Sequence, residues 1–192
     1  MEIIKGRSIE KWDNGVKDKF LKTLTPRLAR DARMYSKPNP PISGETITSV
    51  YYWGDVGTGK TVYAVQLLIE EAKRVYLNPN NERTYENCIF ISVPELFNLL
   101  KSNFNNNDEL QRNMDLWRKA YFLVLDDIGA EKTSEWALTQ LYLIINYRYE
   151  QLLPTIITSN KSLKELAEFL GDDRITSRIR RMGEVVEKRK RW

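Results

Sequence analysis

Gly54-Asp55-Val56-Gly57-Thr58-Gly59-Lys60-Thr61 decides how the rest of this chain is read. It fits the pattern G-x-x-x-x-G-K-[ST] at every fixed position. Upstream, Thr46, Ser49, Val50, Tyr51, Tyr52 and Trp53 supply the β-branched and aromatic residues of a buried strand. Downstream, Val62, Val65, Leu68, Ile69 and Ala72 recur at helical spacing. Strand, glycine loop and helix in that order turn backbone N–H groups and a helix N-terminus toward a polyphosphate. Gly54, Asp55, Val56, Gly57, Thr58, Gly59, Lys60 and Thr61 are therefore the candidate phosphate-binding residues. Lys60 reaches the β- and γ-phosphates in this reading, and the Thr61 hydroxyl ligates Mg²⁺. The expected ligand is a nucleoside triphosphate, ATP with Mg²⁺.

Working outward, the chain of 192 residues is long enough for one domain with a sizeable core and a short extra arm. No run approaches the roughly 18 apolar residues that span a bilayer. The first residues lack the apolar core of a signal peptide. The single cysteine, Cys88, permits no internal disulfide. A cytoplasmic protein without membrane contact is the expectation. The sequence contains 0 histidines, so histidine proton transfer and serine–histidine nucleophiles are excluded. Net charge is +4, unevenly placed: eight basic residues fall between Arg174 and Trp192 against Glu184 and Glu187. A basic end suits a polyanionic partner, or equally a solvated tail.

Residues 1–43 read as an N-terminal arm and proline-rich linker, with Pro38, Pro40 and Pro41 at its end. Within it Val16 to Tyr35 holds a helix, interrupted or restarted at Pro26. Residues 44–192 read as the core. Strands are expected at Cys88–Ile91, Phe122–Leu125, Thr155–Thr158 and Glu184–Glu187. Capping boxes at Ser92–Glu95 and Ser162–Glu165 open helices. Ser134 caps a third, with Leu138, Leu141, Tyr142, Ile145 and Tyr149 on one face. Asn103–Asn107 reads as a short low-complexity patch. The fold class is thus α/β: a five-stranded, mostly parallel sheet with helices on both faces.

The strand Phe122–Leu125 ends in Asp126-Asp127. A carboxylate at the end of an apolar strand is the Walker B arrangement, in which the first acid, Asp126, holds the Mg²⁺ shell. Asp127 is then the candidate base for the attacking water, its target separated from that of Asp126 by the alternation of side chains along a strand. Asn160 follows the fourth strand, at the end of the sheet where doubly wound folds bind ligands. It can sense the γ-phosphate and position water. Arg174, Arg178 and Arg181 share a helix face. They are either a solvated basic face or an arginine finger for a neighbouring subunit.

Together these segments resemble the AAA+ ATPases, in particular the DnaC/DnaI helicase-loader and IstB transposition-helper group. The resemblance rests on Trp53–Thr61, Val93-Pro94-Glu95-Leu96, Leu123–Glu131, Pro154–Asn160 and Asp173–Ile179. It implies a P-loop NTPase core without a C-terminal helical lid, Asn160 as sensor 1, and Arg178 as the finger with Arg174 as fallback. It also implies a head-to-tail homo-oligomer on single-stranded DNA. Lys101-Ser102-Asn103-Phe104-Asn105 occupies the place where family members touch DNA. Lys101 for phosphate and Phe104 for base stacking are the right chemistry, although Phe104 also suits a core anchor. Three functions stand open: an ATPase loading a replicative helicase, a helper of a transposase, and a nucleotide-switched binding module with little hydrolysis.

Overall fold

A computed structural model describes residues 18, 20–34, 48–77 and 84–189. Parts of the arm, the linker, Thr46 and Lys190 to Trp192 lie outside the described residues. Five short segments form β1 (Ser49–Trp53), β2 (Cys88–Ser92), β3 (Phe122–Asp126), β4 (Thr155–Ser159) and β5 (Gly183–Glu187). They make one sheet ordered β2-β3-β4-β1-β5, with every pairing parallel. The central strands β3 and β4 are buried along their whole length, β3 through its apolar run Phe122–Leu125 and β4 through Ile156 and Ile157 with buried threonines and a serine beside them.

Helices cover both faces. On one side lie α1 (Pro26–Met34) and α2 (Lys60–Leu77); on the other lie α3 (Val93–Ser102), α4 (Asn107–Lys119), α5 (Glu135–Glu150), α6 (Leu163–Leu170) and α7 (Arg174–Met182). Alternation along the strands divides the core accordingly. Tyr52, Phe122, Val124 and Ile156 pack with α2 and with Phe20, Leu21, Leu24 and Leu28. Tyr51, Leu123, Leu125 and Ile157 pack with Leu96, Trp117, Leu141, Leu166 and Ile179. Pro26 opens α1, a position where its missing N–H is harmless.

The Ser162 box is complete: Ser162 Oγ accepts from the Glu165 N–H, and Glu165 returns a bond to the Ser162 N–H. Such a cap is worth about 1 kcal/mol. At Ser92 the forward bond, from the Glu95 N–H to Ser92 Oγ, is formed. Two features differ from the sequence reading. The Asn-rich patch is the entry to α4, where Asn106 caps and Leu110, Met114 and Trp117 are buried. Along α5 the buried residues are Ala137, Leu141, Ile144, Ile145 and Arg148. Tyr142 and Tyr149 lie at the edge of that face, half-buried, and carry arginines instead. Among the described residues no helix is long and apolar enough to cross a membrane.

Candidate nucleotide site

The sheet register assembles the site. Ser92 is level with Asp126, and Trp53 is level with Ser159. Because β4 lies between β3 and β1, three groups meet at the carboxyl edge: the glycine loop after β1, Asp126 at the end of β3, and Asn160 past β4. Parallel sheets leave room for ligands at this edge.

Gly57 and Gly59 both have φ of 82°, where an L side chain is strained, and open space surrounds their Cα atoms. Helix α2 starts at Lys60, so its free N–H groups face the loop. Lys60 is only 8% exposed. Its Nζ donates to Gly54 O at 2.7 Å, Asp55 O at 2.8 Å and Asn160 Oδ1 at 2.9 Å. Burial pushes its pKa down, while Asp127, Asp126 and Asp55 pull it back up. Val56, Asp55 and both loop glycines are exposed, and Thr58 Oγ1 closes the turn onto Asp55 O at 2.9 Å.

Asp126 is also 8% exposed. Burial pushes its carboxyl pKa up and Asp127 adds to this; hydrogen bonds from Thr158 and Thr61 and the charge of Lys60 oppose it. Asp127 stands beyond the strand with φ of 60°, so its direction is set by a left-handed turn and not by strand alternation. Thr158, whose part the sequence did not reveal, organises both acids. Its Oγ1 donates to Asp126 Oδ1 at 2.7 Å and accepts from the Asp127 N–H at 2.9 Å. Asn160 bridges the halves: Oδ1 accepts from Lys60, and Nδ2 donates to Asp127 Oδ1 at 3.3 Å. Ser159 Oγ donates to Ile128 O at 2.7 Å, tying the loop after β3 to β4.

The arginines lie elsewhere. Arg178 donates from Nε to Asn146 Oδ1 at 2.8 Å and stacks on Tyr149 at 5.3 Å, both on α5. Arg174 pairs with Asp172 and lies over Tyr142. Lys101 is exposed at the end of α3. Phe104 is 57% exposed, and its ring meets Trp136 edge-on at 5.1 Å. Trp136 is the second residue of α5, which follows the β3 acid loop. Sequence reading passed over it, although an aromatic two residues after the Ser134 cap was the available signal.

A Mg²⁺–triphosphate fits this chemistry. Thr61 and Asp126 are hard oxygen donors close enough for the hydroxyl to hold the carboxyl pKa down, and burial leaves that carboxylate short of compensating charge. Among the described residues no group of three or more Asp, Glu, His or Cys could hold a metal unaided.

A putative ATP-binding protein of insertion sequence IS5376 from Geobacillus stearothermophilus is 31% identical over 124 residues, 65% of this chain and 45% of that protein. The replicative helicase loader DnaI of Bacillus subtilis is 29% identical over 118 residues, 61% of this chain and 34% of that protein. The chain thus spans about half, or less, of the length of the curated relatives it matches. A crystal structure of DnaI superposes with a TM-score of 0.60 at 27% identity, covering 96% of this chain and 90% of that one. The fold is that of the AAA+ domains of these P-loop proteins. Residues 45–183 match the family described as IstB-like ATP binding protein, and the chain belongs to that family.

Proposed function

We propose that the chain is a cytoplasmic, Mg²⁺-dependent AAA+ ATPase that self-associates on single-stranded DNA and assists the loading of a replicative helicase. The observation that carries the ATPase reading is the hydrogen-bonded line Lys60–Asn160–Asp127 beside the buried Asp126. Residues 44–192 form the catalytic core in this reading, with residues 1–43 as the arm before it.

Without nucleotide, Lys60 is held by loop carbonyls and Asn160. A triphosphate offers its ammonium an anionic partner in place of these neutral ones. Leaving Asn160 Oδ1 frees that amide to hold the attacking water, while its Nδ2 keeps Asp127 turned toward the same point. Asp127 takes the proton as the water oxygen bonds to the γ-phosphorus, while the bond from that phosphorus to the β–γ bridging oxygen breaks and ADP leaves. Thr61 and Asp126 would hold the Mg²⁺, which would neutralise phosphate charge as it develops. An arginine from a neighbouring copy, Arg178 first and Arg174 second, adds cationic charge there.

The likeness to DnaI supports the helicase client. The IstB-like family and the insertion-sequence relative support a second client, a transposase. Aspartate at Asp127, one methylene shorter than glutamate, keeps open the third reading, a nucleotide-switched binding module. Calorimetry tests the common core: Lys60→Ala abolishes Mg-ATP binding at micromolar concentration while the fold persists, and unchanged affinity overturns the reading. Affinity capture from the native host then decides the client, by whether helicase or transposase accompanies the protein.

A further inference from the structure

Lys188 follows the end of β5, an edge strand remote in sequence from the glycine loop, yet its backbone touches that loop's hinge and its side chain reaches the elements on either side of it. Its backbone N–H donates to Trp53 O at 2.7 Å. Its carbonyl lies against the Gly54 Cα so closely that a Cβ built at Gly54, where φ is 141°, would sit 2.1 Å from Lys188 O. Its ammonium lies 3.7 Å from the ring centroid of Tyr63 and 5.0 Å from that of Tyr52. These rings are themselves edge-on at 5.0 Å and almost wholly buried. Tyr63 stands one turn into α2, the helix that begins with Lys60 and Thr61.

The backbone on either side of the Gly54 Cα is thus gripped by two groups. Lys188 holds it from β5, and Lys60 takes the Gly54 carbonyl from within the loop. When Lys60 turns to a phosphate it gives up Gly54 O, and the outer grip then keeps the hinge in place. The cage also fixes α2 against β5, which sets where Lys60 and Thr61 emerge. We infer that Lys188, caged by Tyr52 and Tyr63, is a positioning residue that holds the phosphate loop in its triphosphate-binding form. The inference rests on the ATP-binding reading above.

The test measures Mg-ATP affinity by calorimetry on the full chain, with Tm of the nucleotide-free protein recorded beside it. Lys188→Met keeps the aliphatic stem and removes the charge, and it should weaken Mg-ATP binding about tenfold, the scale of a desolvated cation–π contact. Lys188→Arg retains a cation over the rings and should restore near-wild-type affinity. Tyr63→Leu should match Lys188→Met, and the double variant should be no worse than either alone, because both remove one interaction. In steady-state turnover KM rises while kcat at saturating ATP is unchanged, since ground state and transition state use the same loop. A lowered Tm with unchanged affinity makes Lys188 an ordinary strand-end contact and overturns the inference. So do additive losses in the double variant. Wild-type protein that does not bind Mg-ATP overturns the ATP-binding reading itself, and this inference with it.

Discussion

At the scale of single residues, Asp126 shows a conflict between folding and function. Its pKa is raised chiefly by burial, so the folded chain binds a proton there more tightly than the unfolded chain does. Stability of the nucleotide-free protein should therefore fall as pH rises from the ordinary carboxylate range through the raised pKa. At neutral pH the ionised carboxylate is a cost. Asp126→Asn removes the charge and can still accept from Thr158. The variant should raise Tm without nucleotide, flatten that pH dependence, and lose metal-dependent nucleotide binding. Asp127→Asn should separate from it by binding Mg-ATP normally and hydrolysing it far more slowly. Equal kinetics and binding in the two variants would remove the division of roles. Both acids were legible in the sequence as the end of an apolar strand. Thr158 was not, because a threonine inside a strand reads as ordinary β-propensity until its partner across the sheet is known.

At the scale of elements, the least legible residue is Arg148. It sits on the buried face of α5 with 0% exposure. Its guanidinium donates to Thr155 Oγ1 and to the carbonyls of Trp117, Arg118, Ala120 and Pro154. It thereby closes the end of α4, the end of α5 and the start of β4 into one joint. Nothing in a single sequence separates this arginine from a solvated one. The low mean hydropathy of α4 similarly hid a helix whose apolar stripe is only Leu110, Met114 and Trp117. Arg148→Met should lower unfolding free energy by at least about 4 kcal/mol, because four carbonyls lose their donor at about 1–3 kcal/mol each. Denaturant titration measures this, and Mg-ATP affinity should persist in the folded fraction, since the joint lies at the opposite end of the sheet from Lys60. At the carboxyl end, the Phe104–Trp136 pair ties the turn after α3 to the first turn of α5. If bases stack there, Phe104→Ala weakens single-stranded DNA binding by roughly 1–3 kcal/mol. Wild-type affinity should fall as salt rises. Salt-independent binding, or an unaffected Phe104→Ala variant, would move DNA off this surface.

At the scale of the whole molecule, the strands that carry the site were legible because each brings its own chemistry: a glycine loop after β1, two acids after β3, an amide after β4. The order β2-β3-β4-β1-β5 was not, since nothing in the chemistry of a strand names its neighbours. Nor was the assembly, since an arginine's distance from its own site says nothing until a second copy is placed. The structure holds Arg178 on Asn146 and Tyr149 of the same chain. A side chain so fixed is pre-oriented, which lowers the ordering cost of meeting a phosphate on a neighbour. A finger supplied in trans works only if copies stack head to tail, each offering an arginine to the next site. Arg178→Ala should then bind ATP like wild type as a monomer and lose most of its turnover. Lys60→Ala has the complementary defect: it binds no nucleotide but keeps its arginine. Mixing the two inactive proteins should restore part of the activity, through junctions that pair an intact pocket with an intact finger. The rescue should grow with protein concentration and with added single-stranded DNA, because both favour assembly. A mixture that stays inactive where wild-type protein demonstrably assembles would make Arg178 an intramolecular clamp between α7 and α5. Arg174, now paired with Asp172 over Tyr142, would be the next residue to remove in the same experiment.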